Sequence, residues 1–150
     1  MSVSRRRLPE RQGRPALVEL PSRRLLLDTQ VWLWMQADDA RLGKRARRLL
    51  AQAAEVRFSA ASVWEIAIKV AIGKLRLPED ADVAAELANN GIESLPVDVV
   101  HADYVRRLPL LHRDPFDRMI VAQALIEGLT ILTADTQLGA YGVPVADATS

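Results

Sequence analysis

A carboxylate stands at the edge of, or inside, four apolar stretches of this chain. Asp28 closes Leu25-Leu26-Leu27, Glu65 interrupts Val63-Trp64-Glu65-Ile66-Ala67-Ile68, Asp117 opens Met119-Ile120-Val121-Ala122, and Asp135 follows Ile131-Leu132-Thr133. The apolar stretches have to be buried, and an ionised carboxylate loses several kcal/mol when it is drawn towards a dry interior. Any fold that buries the first must therefore compensate the second with cations, hydrogen bonds or protons. A bound divalent ion would supply that compensation and bring chemistry with it.

The stretches have the lengths and punctuation of an alternating α/β chain. Residues 25–28 read as a short buried strand, and 29–36 as an apolar-rich segment turning into a helix. In 43–54, Ala46, Leu49, Leu50 and Ala53 recur at helical spacing opposite Lys44, Arg45, Arg47 and Arg48, which predicts an amphipathic helix. Residues 56–58 are a second strand. Ser59 and Ser62 can each cap the helix over 60–72, which is apolar nearly all round, predicts burial, and ends at Gly73. A helix over 80–90 stops at Gly91, a third strand lies within 92–97, and Asp98 caps a helix over 99–107. Asp114-Pro115 is a helix start, an acid at the N-cap and proline at the first helical position, and that helix runs to Glu127 before Gly128. Residues 130–133 form a fourth strand and 143–145 a fifth. Short all-apolar strands alternating with helices predict a parallel sheet between helix layers, an α/β/α sandwich with four to five strands.

A length of 150 residues with 49% hydrophobic composition suffices for one domain with a substantial core. The absence of cysteine excludes disulfides and thiolate-held zinc or iron–sulfur centres, and two histidines leave little room for imidazole chemistry. No apolar run approaches the ~18 to 20 residues needed to span a bilayer. The reading is a soluble cytoplasmic protein. Its net charge of +1 hides an asymmetry: residues 1–24 carry seven arginines against two glutamates, leaving a net of −4 on the rest. That basic, weakly apolar segment reads as a flexible, solvated N-terminal extension, although it could also attract nucleic acid; the domain follows over 25–147, and 148–150 are a tail.

Each acid also has a purely structural reading. Asp28 could cap the helix that follows, yet ligands of parallel sheets bind outside the carboxyl ends of strands, which is where it stands. Glu65 could pair with Lys69 four residues on, but its helix offers little polar face for a surface pair. Asp114 and Asp117 fit the N-cap and the third helical position of one helix, and Asp135 in Thr133-Ala134-Asp135-Thr136 fits a cap. The specificity lies in four acids meeting at one sheet edge. If they meet, the chemistry is that of a hard cation with oxygen ligands, and it needs no serine, cysteine or histidine nucleophile. The chain indeed lacks a Gly-x-Ser-x-Gly elbow and a His-Glu-x-x-His helix. His101 and His112 read as surface or hydrogen-bonded residues. Trp32, Trp34 and Trp64 read as core or interface, with base stacking the alternative. Lys69, Lys74, Arg76, Arg113 and Arg118 could flank an acidic centre and hold a phosphate backbone.

Leu26-Leu27-Asp28-Thr29, the segment 59–75, the segment 112–124 and Leu132-Thr133-Ala134-Asp135 together resemble a PIN domain of the VapC toxin type, in order along 25–145. The resemblance implies a Mg²⁺-dependent ribonuclease, with Mn²⁺ a possible substitute, acting as the toxin of a toxin–antitoxin pair. It also implies an RNA substrate, an antitoxin partner and a homodimer. By motif, Asp28, Glu65 and Asp117 take the positions of the family's catalytic metal-holding acids. Asp135 takes the fourth and most variable one, and Asp114 belongs to the Asp-Pro-Phe-Asp variant as a cap or a supporting residue. Two competitors stand beside this reading. An aspartyl-phosphate phosphatase wants a second acid two residues after the first, where this chain has Gln30. A non-catalytic RNA- or partner-binding module would use the acids merely as caps.

Overall fold

Leu25, Leu26 and Leu27 have no solvent exposure at all, because the strand they form lies in the middle of the sheet with a neighbour on each side. The computed structural model describes residues 23–150. Strand β1 (Arg24–Leu27) pairs in parallel with β2 (Glu55–Ser59) and with β4 (Thr130–Thr133); β2 pairs with β3 (Glu93–Leu95), and β4 with β5 (Val145–Asp147). The order is β3-β2-β1-β4-β5, every pair parallel, so all five carboxyl ends share one rim. This is the α/β/α sandwich expected.

Successive strand residues point to opposite faces, and both faces are covered. Leu27 and Leu132 enter one core with Val31, Trp32, Phe58, Ile66 and Leu87; Leu26 and Ile131 enter the other with Ile120, Val121, Leu129 and Leu138. The first core is roofed by α1 (Thr29–Gln36), α2 (Lys44–Gln52), α3 (Ala60–Ala71) and α4 (Val83–Asn89). The second is covered by α5 (Val99–Tyr104), which continues as a 3-10 turn, by α6 (Pro115–Glu127), and by the 3-10 segment Thr136–Tyr141. Trp32 and Trp34 are core residues, Trp32 stacking on Phe58 with ring centroids 5.4 Å apart.

Several expectations change in detail. Residues 1–22 of the basic extension lie outside the described residues, and Arg24, expected within that extension, opens β1, its guanidinium bonded to Glu55 and to the carbonyl of Glu127. Asp28 lies just past β1 as the N-cap residue of α1. The fifth strand sits two residues later than the apolar pattern suggested, at Val145–Asp147, because Val143 packs into the core from the preceding loop. Helix α3 is not buried all round: it faces inward through Ala61, Ser62, Glu65 and Ile66 and leaves Trp64, Val70 and Ile72 exposed. It is an outer-layer helix, and an outer layer has only one face to bury. Among the described residues no helix is long and apolar enough to cross a membrane.

Candidate metal centre

The parallel sheet delivers the acids to its carboxyl rim. Asp28 follows β1 directly, its amide donating to the carbonyl of Leu132 at 3.0 Å, so it is tied to β4 at the point where β1 hands over to α1. Its side chain makes no capping bond to α1; Oδ2 instead accepts from the Thr133 hydroxyl at 2.7 Å. The same hydroxyl oxygen accepts the amide of Asp135 at 2.9 Å, so one threonine at the end of β4 links two of the acids. The structural reading of Asp28 as a cap therefore leaves its carboxylate unexplained.

Glu65 projects from the buried face of α3 and is 8% exposed. Its Oε1 accepts from the Thr29 hydroxyl at 2.7 Å and its Oε2 from Lys69 at 2.9 Å. The Glu65–Lys69 pair exists, but it faces a cleft of about 210 Å³ also lined by Asp28, Gln30, Leu33 and Lys74. Glu65 lowers the acidity of Lys69, raising the ammonium pKa chiefly through their hydrogen bond.

Helix α6 starts as the Asp114-Pro115 pair predicts. Asp114 Oδ1 accepts the amides of Phe116 and Asp117 at 2.8 and 3.2 Å, and this capping work is what Asp114 does. Asp117 is left with no cap to make. Among the described residues its carboxylate accepts no hydrogen bond, and the His112 ring lies 3.8 Å away. Burial pushes the Asp117 carboxyl up to about 7, and the charges of Asp114, Asp28, Glu65 and Asp135 push in the same direction. Asp28 is raised too, by burial first, against the hydrogen bond from Thr133 and the lowering influence of the Thr29 backbone, with Glu65 and Asp135 adding repulsion. Asp135 divides its oxygens: Oδ1 caps the 3-10 segment at Gln137, and Oδ2 lies 3.5 Å from His112 Nε2.

Asp28, Glu65, Asp117 and Asp135 thus occupy one electrostatic neighbourhood, with Lys69 bonded to Glu65 within it. An excess of carboxylate oxygens, with the half-buried Asp117 carboxylate lacking a donor, fits the oxygen-rich demand of a hard divalent cation. A family model for the PIN domain matches residues 25–143.

The chain belongs to the PIN domain family.

This PIN domain has no match among curated proteins, and its solved neighbours are remote in sequence. It superposes on a chain of VapBC2 from Rickettsia felis bound to a promoter DNA fragment, with a TM-score of 0.63 at 13% identity, covering 82% of this chain and 97% of that one. DNA-bound VapBC from Salmonella typhimurium gives 0.61 at 18%, covering 83% and 98%. FitAcB from Neisseria gonorrhoeae gives 0.58 at 24%, covering 83% and 97%. The likeness is one of fold.

One expectation about this PIN domain's site fails and one residue was overlooked. Arg118 is not free to hold a phosphate backbone. It is buried, with Nη1 donating to the carbonyl of Pro109 at 2.8 Å and to Tyr141 Oη at 3.4 Å, and Nη2 donating to the carbonyls of Val105 and Leu108 at 3.1 and 3.4 Å. Its work is to fasten the loop before α6. Arg76 lines a neighbouring cleft with Trp34 and Arg41, one that shares Gln30, Leu33 and Leu75 with the acidic cleft. His112, read as an ordinary surface or hydrogen-bonded residue, stands between Asp117 and Asp135, and the three offer ligand atoms all within 4.8 Å of one another. The available signal was its place in His112-Arg113-Asp114-Pro115-Phe116-Asp117, five residues ahead of an acid across a turn; spacing alone does not say which way that turn folds. His101 is buried and hydrogen-bonded as expected, between the Asp98 amide and Glu127.

Proposed function

We propose that this PIN domain is a Mg²⁺-dependent endoribonuclease, with Mn²⁺ able to substitute, and that it is the toxin of a toxin–antitoxin pair. The observation that carries the reading is the gathering of Asp28, Glu65, Asp117 and Asp135, where burial first and then the repulsion of neighbouring acids raise Asp117 to about 7. Proteins keep so many acids in one half-buried place at a cost to stability, and a cation site is the use that repays it. A divalent ion held there supplies a water nucleophile at neutral pH and offsets charge on phosphoryl oxygens.

The chain's own residues prepare that chemistry. Thr133 fixes the direction of Asp28, while Thr29 and Lys69 between them hold both oxygens of Glu65. Asp114 takes over the capping of α6 and so releases Asp117. Lys69 and Lys74 line the same cleft as Asp28 and Glu65 and give a polyanion a cationic edge to approach, without which the acids would repel it. Hydrolysis in this arrangement leaves a 5′-phosphate and a 3′-hydroxyl. The toxin role and the antitoxin partner are supported by the fold shared with chains of toxin–antitoxin complexes; a homodimer in the cytoplasm is part of the same proposal.

The test is incubation of the purified chain with a panel of structured RNAs in Mg²⁺, in Mn²⁺ and in a chelator, with end analysis of the products. Cleavage dependent on metal and lost in Asp28→Asn is the expected result. RNA binding that ignores metal and yields no product across the panel would instead favour a non-catalytic binding module.

A further inference from the structure

The loop that carries His112 is fastened with unusual thoroughness for an exposed connection. Buried Arg118 holds the carbonyls of Val105, Leu108 and Pro109, and the Tyr141 hydroxyl oxygen accepts both from Arg118 and from the amide of His112, the latter at 2.7 Å. The backbone of His112 is therefore held through Tyr141 by the 3-10 segment that Asp135 caps, and Tyr141 is in turn bonded to Arg118 of α6. The imidazole itself is not fixed to either carboxylate. Its nitrogens lie 3.8 Å from Asp117 and 3.5 Å from Asp135, longer than hydrogen bonds.

One ring nitrogen of His112 and one carboxylate oxygen each from Asp117 and Asp135 lie within 4.8 Å of one another, which brings them near the spacing of ligands to a common ion. Oxygen and nitrogen ligands about 2.1 Å from one cation stand roughly 3 Å apart when adjacent and about 4.2 Å apart when opposite. The upper limit on the separations of the three ligand atoms, 4.8 Å, is only slightly above that range. A ring with a carboxylate facing each nitrogen also suits a metal-bound histidine, which uses one nitrogen for the ion and gives the other N–H to an acceptor.

We propose that His112 supplies a nitrogen ligand, beside Asp117 and Asp135, to a divalent cation at this end of the rim, and thereby tunes the site towards Mn²⁺ and later first-row ions over Mg²⁺. The inference rests on the nuclease reading of the acids and adds to it a ligand that is not a carboxylate. Imidazole is a poor partner for Mg²⁺ and a better one along the first transition row, so one such ligand in an oxygen set shifts metal choice.

Mn²⁺ added to the full chain reports directly on this. Electron spin-echo envelope modulation of the bound ion is expected to show ¹⁴N coupling in the wild type, to lose it in His112→Gln, and to keep it in His101→Gln. Mn²⁺ affinity is expected to fall roughly tenfold or more in His112→Gln, with a smaller fall for Mg²⁺. Bound Mn²⁺ without nitrogen coupling in the wild type, or coupling that survives in His112→Gln, overturns the role of His112 and leaves the acidic site standing. A wild-type chain that binds no Mn²⁺ overturns the metal-dependent nuclease reading and this inference together.

Discussion

Replacing Asp117 with asparagine is expected to stabilise the metal-free protein at neutral and alkaline pH. Asp117 has a folded-state pKa of about 7, against 3.8 for an unperturbed aspartate. The folded state therefore holds a proton between those values that the unfolded chain has released. Stability then falls as pH rises through this window and levels off above about 7, because there the buried carboxylate is charged. A rise from 3.8 to about 7 corresponds to about 4 kcal/mol at full strength. The side chain keeps 24% of its surface in water, and solvent screening reduces the figure to about 2 kcal/mol. An asparagine at this position cannot ionise, so in chelator the variant is expected to melt roughly 5 to 10 °C above wild type at pH 8 and level with it near pH 4. Thermal unfolding at pH 4.5, 6 and 8, with chelator and with excess Mg²⁺, measures this. Saturating Mg²⁺ should raise the wild type and not the variant, since only a state that binds ligand is stabilised by it. A variant less stable than wild type at pH 8 in chelator would refute the claim that Asp117 is held against its own electrostatics.

Asp28→Asn is expected to reduce RNA cleavage at least 100-fold, measured by initial rates, with the fold intact or more stable by circular dichroism. Mg²⁺ affinity measured by calorimetry should rise about fivefold from pH 6 to 7 and about twofold more above pH 7, because the proton on Asp117, with its pKa of about 7, competes with the ion. Thr133→Val removes the oxygen that joins Asp28 to the Asp135 amide. The change should cost about 1 to 3 kcal/mol in denaturant unfolding, and should weaken metal binding as well. Arg118→Met deletes the four bonds that fasten the loop before α6; a loss of roughly 3 kcal/mol is expected, together with faster amide exchange at His112.

Much of the site was legible because strand ends are legible. Leu25-Leu26-Leu27 and Ile131-Leu132 are too short and too apolar for anything but central parallel strands, so Asp28 and Asp135 had to emerge at the sheet's carboxyl rim. Asp114-Pro115 announced its helix start, and the structure shows why two acids are present: one caps and the other is thereby spared. The outward face of α3 was not legible. An almost wholly apolar helix reads as buried, and nothing local reveals that Trp64 packs edge-on against Phe116 at the surface, ring centroids 5.4 Å apart, while the inner face holds Glu65. Arg118 was misread for a related reason: a guanidinium beside an acid looks like a phosphate clamp until the carbonyls of a loop nine to thirteen residues away are seen to surround it.

What the order of residues decides alone is the alternation of strand and helix and, through it, which carboxylates lie on the sheet's carboxyl rim, because both follow from periodicities and caps that act within a few residues. Which side chains share that rim with the acids is decided only in three dimensions. His112 meets Asp117 and Asp135, and Thr133 meets Asp28 across 105 positions of chain, because the crossover helices and a buried arginine bring the loops together. Distances of that kind depend on the packing of both cores at once, and no local pattern encodes them.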